Sequence, residues 1–299
     1  VVDISGWAVI RDEPGGRDPD KRWVARDAES PRHEQWLWKS RQCTGDCSSE
    51  ALTDCAEVTV SRLAAVLCIP AAECRYAVCD GKLGLISRNV APQGYDLSTA
   101  RTYLPEVDGY AYAAASSDDE AVGRMRRDTG YTLEAVEAVL DGVLPPPGLD
   151  WLPAFGVFAG YLVLDALVGN SDRHPGNWAL LESTVGERLL APTYDHGSAL
   201  GAGLTEQNRQ RKDPEAFARR GRANPFAPPR QGLVEVAAEA VRRTRADVWI
   251  ARVRELDGDA VRATLAAPDG RMSEVATTFM TRVVLENRRR LCDDDAGKD

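Results

Sequence analysis

Two polar stretches constrain this chain most: GNSDRHPGNW at residues 169–178 and PTYDHG at residues 192–197. Ahead of the first runs FGVFAGYLVLDALV, residues 155–168, apolar except for Asp165. A segment apolar on all sides belongs inside the protein as a buried helix. Between the two polar stretches, NWALLES and ERLLAPTYD read as a hairpin-like pair of strands. The order is helix, polar loop, strand, turn, strand, polar loop. Asp172 and Asn177 are five apart, and Asp195, in Asp195-His196-Gly197, follows eighteen residues after Asn177. Either motif alone is a common polar turn. At this separation, behind an apolar helix, they form a constellation.

Its chemistry is that of phosphoryl transfer. Such a reaction needs a carboxylate to orient or deprotonate the attacking hydroxyl, and an amide and a second carboxylate to hold magnesium. Asp172 fits the first role, and Asn177 with Asp195 fits the second, because magnesium prefers a few oxygen ligands plus substrate phosphates. His174 either steadies the loop or touches the γ-phosphate. Asn170 and Arg173 read as loop-fixing residues.

The stretch GNSDRHPGNW followed by LLAPTYDHGSAL resembles the HipA-like serine/threonine kinases, whose loop reads N-x-D-x-H-x-x-N-(W/Y) and whose metal aspartate sits in PxYD or PxFD. The DRHxxN core is also similar to that of phosphoinositide 3/4-kinases. The Trp-ended loop followed by LAPTYD favours the HipA-like side. The resemblance runs over residues 1–205 and suggests a short, stand-alone, actinobacterial-type member. It implies an α+β, bilobal, protein-kinase-like fold. A small β-rich N-lobe over residues 1–92 would bind nucleotide, and a mainly helical C-lobe over residues 93–299 would carry the catalytic loop and the metal site.

The N-terminal part suits that arrangement. VVDISGWAVI alternates as a strand, DEPGGRDPD is turn-rich, and KRWVARD and QWLWKSR are strands joined by DAESPRHE. Nucleotide phosphates need backbone N–H donors from a loop without bulky side chains, plus a cation on a rigid strand. Gly15, Gly16 and Lys21 fit the loop, and Lys39 the strand. Family members carry a similar DEPxG…K…W loop and WLFK strand. The loop here, EPGGRDPDK, has no serine, which removes regulation by serine phosphorylation in that loop. ALTDCAEVTVSRLAAVLCIP places Val58, Leu63, Val66 and Leu67 on an amphipathic helix that stops at Pro70. The partner of Lys39 is expected on this helix. Glu57, just before LAAVLCIP, fits the family's LAxxLGIP element, with Glu50 and Asp54 as rivals. ECRYAVCDGKLGLISRNV reads as a hairpin turning at Asp80-Gly81. By analogy its second strand runs into the hinge that meets adenine, so backbone atoms from Ser87 to Val90 are candidate contacts. Pro92 and Gly94 mark the boundary between the lobes.

Farther along, AAASSDDEA is polar and TLEAVEAVLDGV is an acidic helix stopped by PPPG at 145–148. Arg209, Arg211, Lys212, Arg219, Arg220 and Arg222 form a basic run, read as a solvated face or as a substrate-docking site. Residues 234–256 and 273–291 read as periodic helices, and CDDDAGKD as a frayed tail.

Composition narrows the function classes. At 299 residues the chain can build two lobes. A net charge of −9 argues against a bulk nucleic-acid or anionic-membrane binder. The apolar run at 151–168 is broken by Pro153 and Asp165 and is too short to span a bilayer. Val1 opens directly into a strand with no basic leader, so a cytoplasmic protein is expected. Of seven cysteines, six fall between Cys43 and Cys79, yet Cys43, Cys47 and Cys55 lack paired zinc spacing. Reduced thiols are expected.

The cofactors implied are ATP or GTP, with Mg²⁺. Three readings stand: a protein Ser/Thr kinase, a small-molecule phosphotransferase acting on an antibiotic or metabolite hydroxyl, or an inactive nucleotide-binding interaction module. The full set Lys39, Glu57, Asp172, Asn177 and Asp195 counts against the third. Longer HipA-like toxins carry an extra N-terminal subdomain for their antitoxin, and this chain opens almost directly at the N-lobe, which counts against an antitoxin partner.

Overall fold

The structure is a computed structural model; it describes residues 1–12, 20–43, 50–111, 128–226, 231–268 and 270–296, with side chains to residue 293. Its first layer is a six-stranded sheet made of β1 (Val2–Asp3), β2 (Ala8–Asp12), β3 (Arg22–Ala25), β4 (Trp36–Ser40), β5 (Cys74–Cys79) and β6 (Lys82–Arg88), in the order β1-β5-β6-β4-β3-β2. All neighbours are antiparallel except β1 with β5. The two-residue period of a strand sorts β4. Trp36 and Trp38 pack with Ile4, Val24 and Ile86 on one face, while Leu37 and Lys39 face a cleft on the other. The β5–β6 hairpin turns at Asp80 and Gly81, whose φ values of 49° and 79° are those of a turn matched to strand twist. Gly84 on β6 passes so close to β4 that a Cβ there would lie 2.2 Å from the Lys39 carbonyl oxygen.

Helix α1 (Thr53–Val66) lies against β5 and buries Val58 and Leu63. It ends four residues before Pro70, because Cys68 takes a left-handed conformation at φ 49°. Val66, expected on the apolar face, is 52 % exposed, whereas Leu67 is buried.

The rest is mainly helical. A three-stranded sheet joins β7 (Tyr95–Thr99), β8 (Ala179–Ser183) and β9 (Arg188–Leu190). Helices α2 (Leu133–Leu140), α3 (Ala154–Val168), α4 (Glu206–Arg211), α5 (Pro214–Arg219), α6 (Leu233–Thr244), α7 (Val248–Glu255), α8 (Gly258–Thr264) and α9 (Glu274–Ala296) complete the chain. All fifteen residues of α3 are buried, so it is the axis of the core and packs on both α6 and α9. The single periodic helix expected over 234–256 is two: α6 stops where Arg245 adopts φ 53°. The tail expected to fray continues as helix to Ala296. The polar stretch AAASSDDEA lies outside the described residues. The fold class is α+β, with a β-rich N-terminal region and a mainly helical C-terminal one. Among the described residues, no helix is long and apolar enough to cross a membrane.

Candidate active site

Gly169 ends α3 in the left-handed conformation, at φ 66°, and releases the chain into the loop carrying Asp172 and Asn177. That loop is held from beneath by Asp165, the single carboxylate in α3. Asp165 is 1 % exposed and accepts from Arg173 Nε at 2.7 Å, from Arg173 Nη2 at 2.8 Å and from Asn170 Nδ2 at 2.7 Å. A buried carboxylate is tolerable only when paired and hydrogen-bonded, and this one is both. Arg173 also donates to the Asn177 carbonyl, and its own carbonyl accepts from Tyr131 Oη at 3.0 Å. Asn177 Nδ2 donates to the Asp172 carbonyl at 2.8 Å, which leaves its Oδ1 as the end of the amide suited to a cation. The Gly176 N–H donates to His174 Nδ1 at 3.0 Å, so the ring proton sits on Nε2. Burial pushes the His174 pKa down, and Arg101 adds to this against the pull of Asp172. Burial pushes the Asp172 carboxyl up; His174 pulls the other way and Asp195 adds to the rise.

The same loop is tied to the segment after β9. Arg173 Nη2 donates to His196 Nε2 at 3.1 Å, and Thr193 Oγ1 lies 3.0 Å from that nitrogen. Burial, then the Arg173 guanidinium, hold His196 well below its ordinary pKa, so it stays a neutral acceptor. Ser198 Oγ donates to Asn170 Oδ1 at 2.9 Å. Asp195 sits between these anchors at φ 61°, in the left-handed region that aspartate enters more readily than most side chains.

Opposite stands Lys39. Its Nζ donates to Glu57 Oε1 at 2.9 Å, to Glu57 Oε2 at 3.1 Å and to Asp195 Oδ1 at 2.8 Å. Burial works against the charge on Lys39, but Asp195 and Glu57 together outweigh it and keep the ammonium protonated. The Lys39 ammonium in turn holds Asp195 well below the usual carboxylate range, against burial. For Glu57 burial wins over the pull of Lys39, and its pKa is raised. The other two acids considered for Lys39 are engaged elsewhere: Glu50 and Asp54 both pair with Arg41.

A cleft of about 520 Å³ opens above this cluster, and Lys21, Lys39, Ser87, Val90, Gly176 and Asp195 all line it. Glu57 lies behind Lys39. Asp172, His174 and Asn177 are carried on the loop whose Gly176 reaches the cleft, and are not among its lining residues. Gly15 and Gly16 lie outside the described residues. The cleft also contains Arg88, within the Ser87–Val90 stretch expected there, and Arg11, Trp23, Arg32 and Tyr194, which sequence reasoning missed. Tyr194 Oη donates to the Gly176 carbonyl at 3.2 Å, bracing the cleft wall. Asp165 carried a readable signal, as the sole charge in a wholly apolar helix.

Other expectations are refined. Arg209 of the basic run is buried and donates to the Gly201 and Ala202 carbonyls, and Arg219 pairs with Glu286 at 2.9 Å. Arg211, Lys212, Arg220 and Arg222 are exposed. Cys43 is disulfide-bonded, against the expectation of reduced thiols throughout, whereas Cys55, Cys68, Cys74, Cys79 and Cys292 are free. Among the described residues no group of three His, Cys, Asp or Glu side chains could hold a metal ion.

No protein-family model and no curated protein matches the sequence. Solved structures do match. The crystal structure of the Helicobacter pylori proinflammatory kinase CtkA superposes with a TM-score of 0.67 at 17 % identity, over 98 % of this chain and 95 % of that one. The fold is kinase-like and bilobal. HipA of Shewanella oneidensis MR-1, solved with HipB and its operator DNA, superposes with a TM-score of 0.53 at 13 % identity, over 92 % of this chain and 64 % of that one. At these identities the likeness is one of fold. That fold is shared with CtkA and HipA alike, and the likeness singles out no short actinobacterial-type member.

Proposed function

We propose that this chain is a kinase that transfers the γ-phosphate of ATP to the hydroxyl of a protein serine or threonine. The observation that carries the reading is Lys39, bonded at once to Glu57 and Asp195 at the floor of a cleft. A lysine held this way on a strand is a pre-positioned cation for nucleotide phosphates. In this reading residues 1–92 form the N-lobe and residues 93–299 the C-lobe. Lys39 grips the α/β-phosphates, Glu57 orients it, and Lys21 adds charge to the cleft; Gly15 and Gly16, outside the described residues, are proposed as the backbone N–H donors to the phosphates. The backbone at Ser87 and Val90 meets the base, a contact that adenine and guanine both allow.

Asn177 Oδ1 and Asp195 would hold magnesium. Their donor set, one amide oxygen and one carboxylate kept ionised by Lys39, suits that ion, which supplies charge neutralisation when bound. Asp172 aligns the acceptor hydroxyl in line with the γ-phosphorus and takes its proton as the oxygen–phosphorus bond forms. The bond from the γ-phosphorus to the β–γ bridging oxygen breaks and the nucleoside diphosphate leaves. His174, neutral and bonded to the Gly176 N–H, steadies the loop and presents Nε2–H toward a phosphate oxygen.

The test is transfer of labelled γ-phosphate by the purified chain with magnesium, alone and with a cell extract, beside Asp172→Asn and Asp195→Asn. Label in a protein band, absent with both variants, is the expected result. Label confined to small molecules would move the assignment to a small-molecule phosphotransferase. Binding of MgATP without transfer, identical in the variants, would sink the enzyme reading.

A further inference from the structure

Two residues beyond Lys39, Arg41 repeats the pairing of strand cation with helix acid. Its Nε and Nη2 donate to the two oxygens of Asp54 at 3.0 and 2.9 Å. Positions two apart on an extended chain share a face, as do positions three apart on a helix. Lys39 and Arg41 therefore meet Glu57 and Asp54 as two rungs between the sheet and α1. The outer rung is remote from the phosphate chemistry and more deeply buried than a surface pair, with side chains 5 % and 1 % exposed.

A third residue closes on that rung from 217 positions away in sequence. Arg271 lies in the turn before α9 and is 4 % exposed. Its Nη1 donates to Asp54 Oδ2 at 3.0 Å and to the Gly84 carbonyl of β6 at 2.9 Å, and its Nη2 donates to the Ala77 carbonyl of β5 at 2.7 Å. Its own carbonyl accepts from Arg41 Nη2 at 3.0 Å. One planar guanidinium thus bonds the helix acid to both strands of the β5–β6 hairpin, which sets the separation of α1 from the sheet. The far end of α1 is held in the same manner: Arg252 donates to the Leu67 carbonyl at 3.1 Å, and Arg62 to the Thr264 carbonyl at 3.1 Å.

We propose that Arg271 is a positioning residue, which acts through Asp54 to keep α1 where Glu57 meets Lys39. The inference rests on the nucleotide-site reading above, because the strand lysine of a kinase-like site works only with the helix glutamate in place. The C-terminal segment thereby takes part in setting the phosphate-binding end of the cleft without touching it.

The experiment is a double-mutant cycle on the full chain, with MgATP affinity measured by calorimetry and amide hydrogen exchange followed across residues 53–66. Arg271→Gln should weaken MgATP binding about tenfold, the middle of the range for residues joined in one polar network. It should raise exchange in α1 selectively, and Arg271→Lys should restore part of the affinity. In the Glu57→Gln background the same change should add nothing, since the contact it positions is already gone. Unchanged affinity in Arg271→Gln, or losses that multiply with those of Glu57→Gln, would overturn the proposal. Should Arg271→Gln not fold, Asp54→Asn takes its place under the same criteria. A wild-type chain that binds MgATP but transfers no phosphate fails the kinase reading and leaves this cycle intact. With no MgATP binding at all, exchange decides: selective loss of protection in α1 supports the positioning role, and a uniform loss refutes it.

Discussion

At the scale of single residues, the site depends on positions where little else fits. A Cβ at Gly84 would sit 2.2 Å from the Lys39 carbonyl and 2.7 Å from the Trp38 ring, so β4 itself must shift to admit one. Gly84→Ala is expected to cost about 1–3 kcal/mol in urea denaturation, the range for overpacking a filled site, and to weaken MgATP binding by displacing Lys39. Gly6→Ala, where nothing lies within 4 Å of the new atom, should change stability little and serves as the control. Asp172 carries the expected proton transfer. Asp172→Asn should lower kcat by about 10²–10⁴-fold, the usual worth of a positioned general base, with little change in MgATP affinity. A variant that retained full turnover would remove Asp172 from the mechanism.

At the scale of elements, α3 and the loop after it behave as one unit because Asp165 joins them. Removing the carboxylate in Asp165→Ala leaves the Arg173 charge buried with its main partner gone. The expected loss is about 3–5 kcal/mol by urea denaturation, the cost of breaking a buried pair, and a loss under 1 kcal/mol would contradict the role given to Asp165. Helix α6 carries its own signature. Hydrogen bonds from Arg242, then Arg243, lower the Glu239 carboxyl from 4.5 to about 2. Its folded value lies below its unfolded one, so the stability it contributes is full above pH 4.5 and is lost as pH falls through about 2. An NMR titration should find Glu239 titrating near 2, and a midpoint at the ordinary glutamate value would disprove the pairing. The break between α6 and α7 was not legible, because a helical period continues through Arg245 while its backbone does not.

At the scale of the molecule, one apolar cluster spans both regions. Leu52, Val58 and Leu63 around α1, with Tyr76 and Leu85 of the sheet, share it with α3, α6 and Leu291 of α9. Arg271, Arg62 and Arg252 add polar ties across the same boundary. Neither region can lose its packing without exposing the other, so unfolding should be cooperative across both. Tryptophan fluorescence and far-UV circular dichroism should trace a single urea transition. Two separated transitions would show that the sheet and the helical region are held apart energetically, in spite of this shared core.

What could be read along the chain is what short-range chemistry decides. Asp80-Gly81 turns a hairpin because that pair accepts the required φ values. PPPG at 145–148 keeps the link from α2 to α3 out of helix, although α2 already ends at Leu140, before Gly142 at φ 69°. The all-apolar helix and the loop behind it followed from residues within a few turns of one another, and the α+β class from the resemblance those residues carry. The family resemblance already pointed to Glu57 as the partner of Lys39; the tertiary structure supplied the reason its rivals fail, since Arg41 draws Glu50 and Asp54 away. The tertiary structure alone brought Arg271 to Asp54, exposed Val66 while burying Leu67, and turned Asp165 from an interruption in an apolar run into the anchor of the loop. Those outcomes depend on which surfaces meet across hundreds of residues. Local propensity carries no record of that, because the energy that selects it comes from packing and from pairing buried charges.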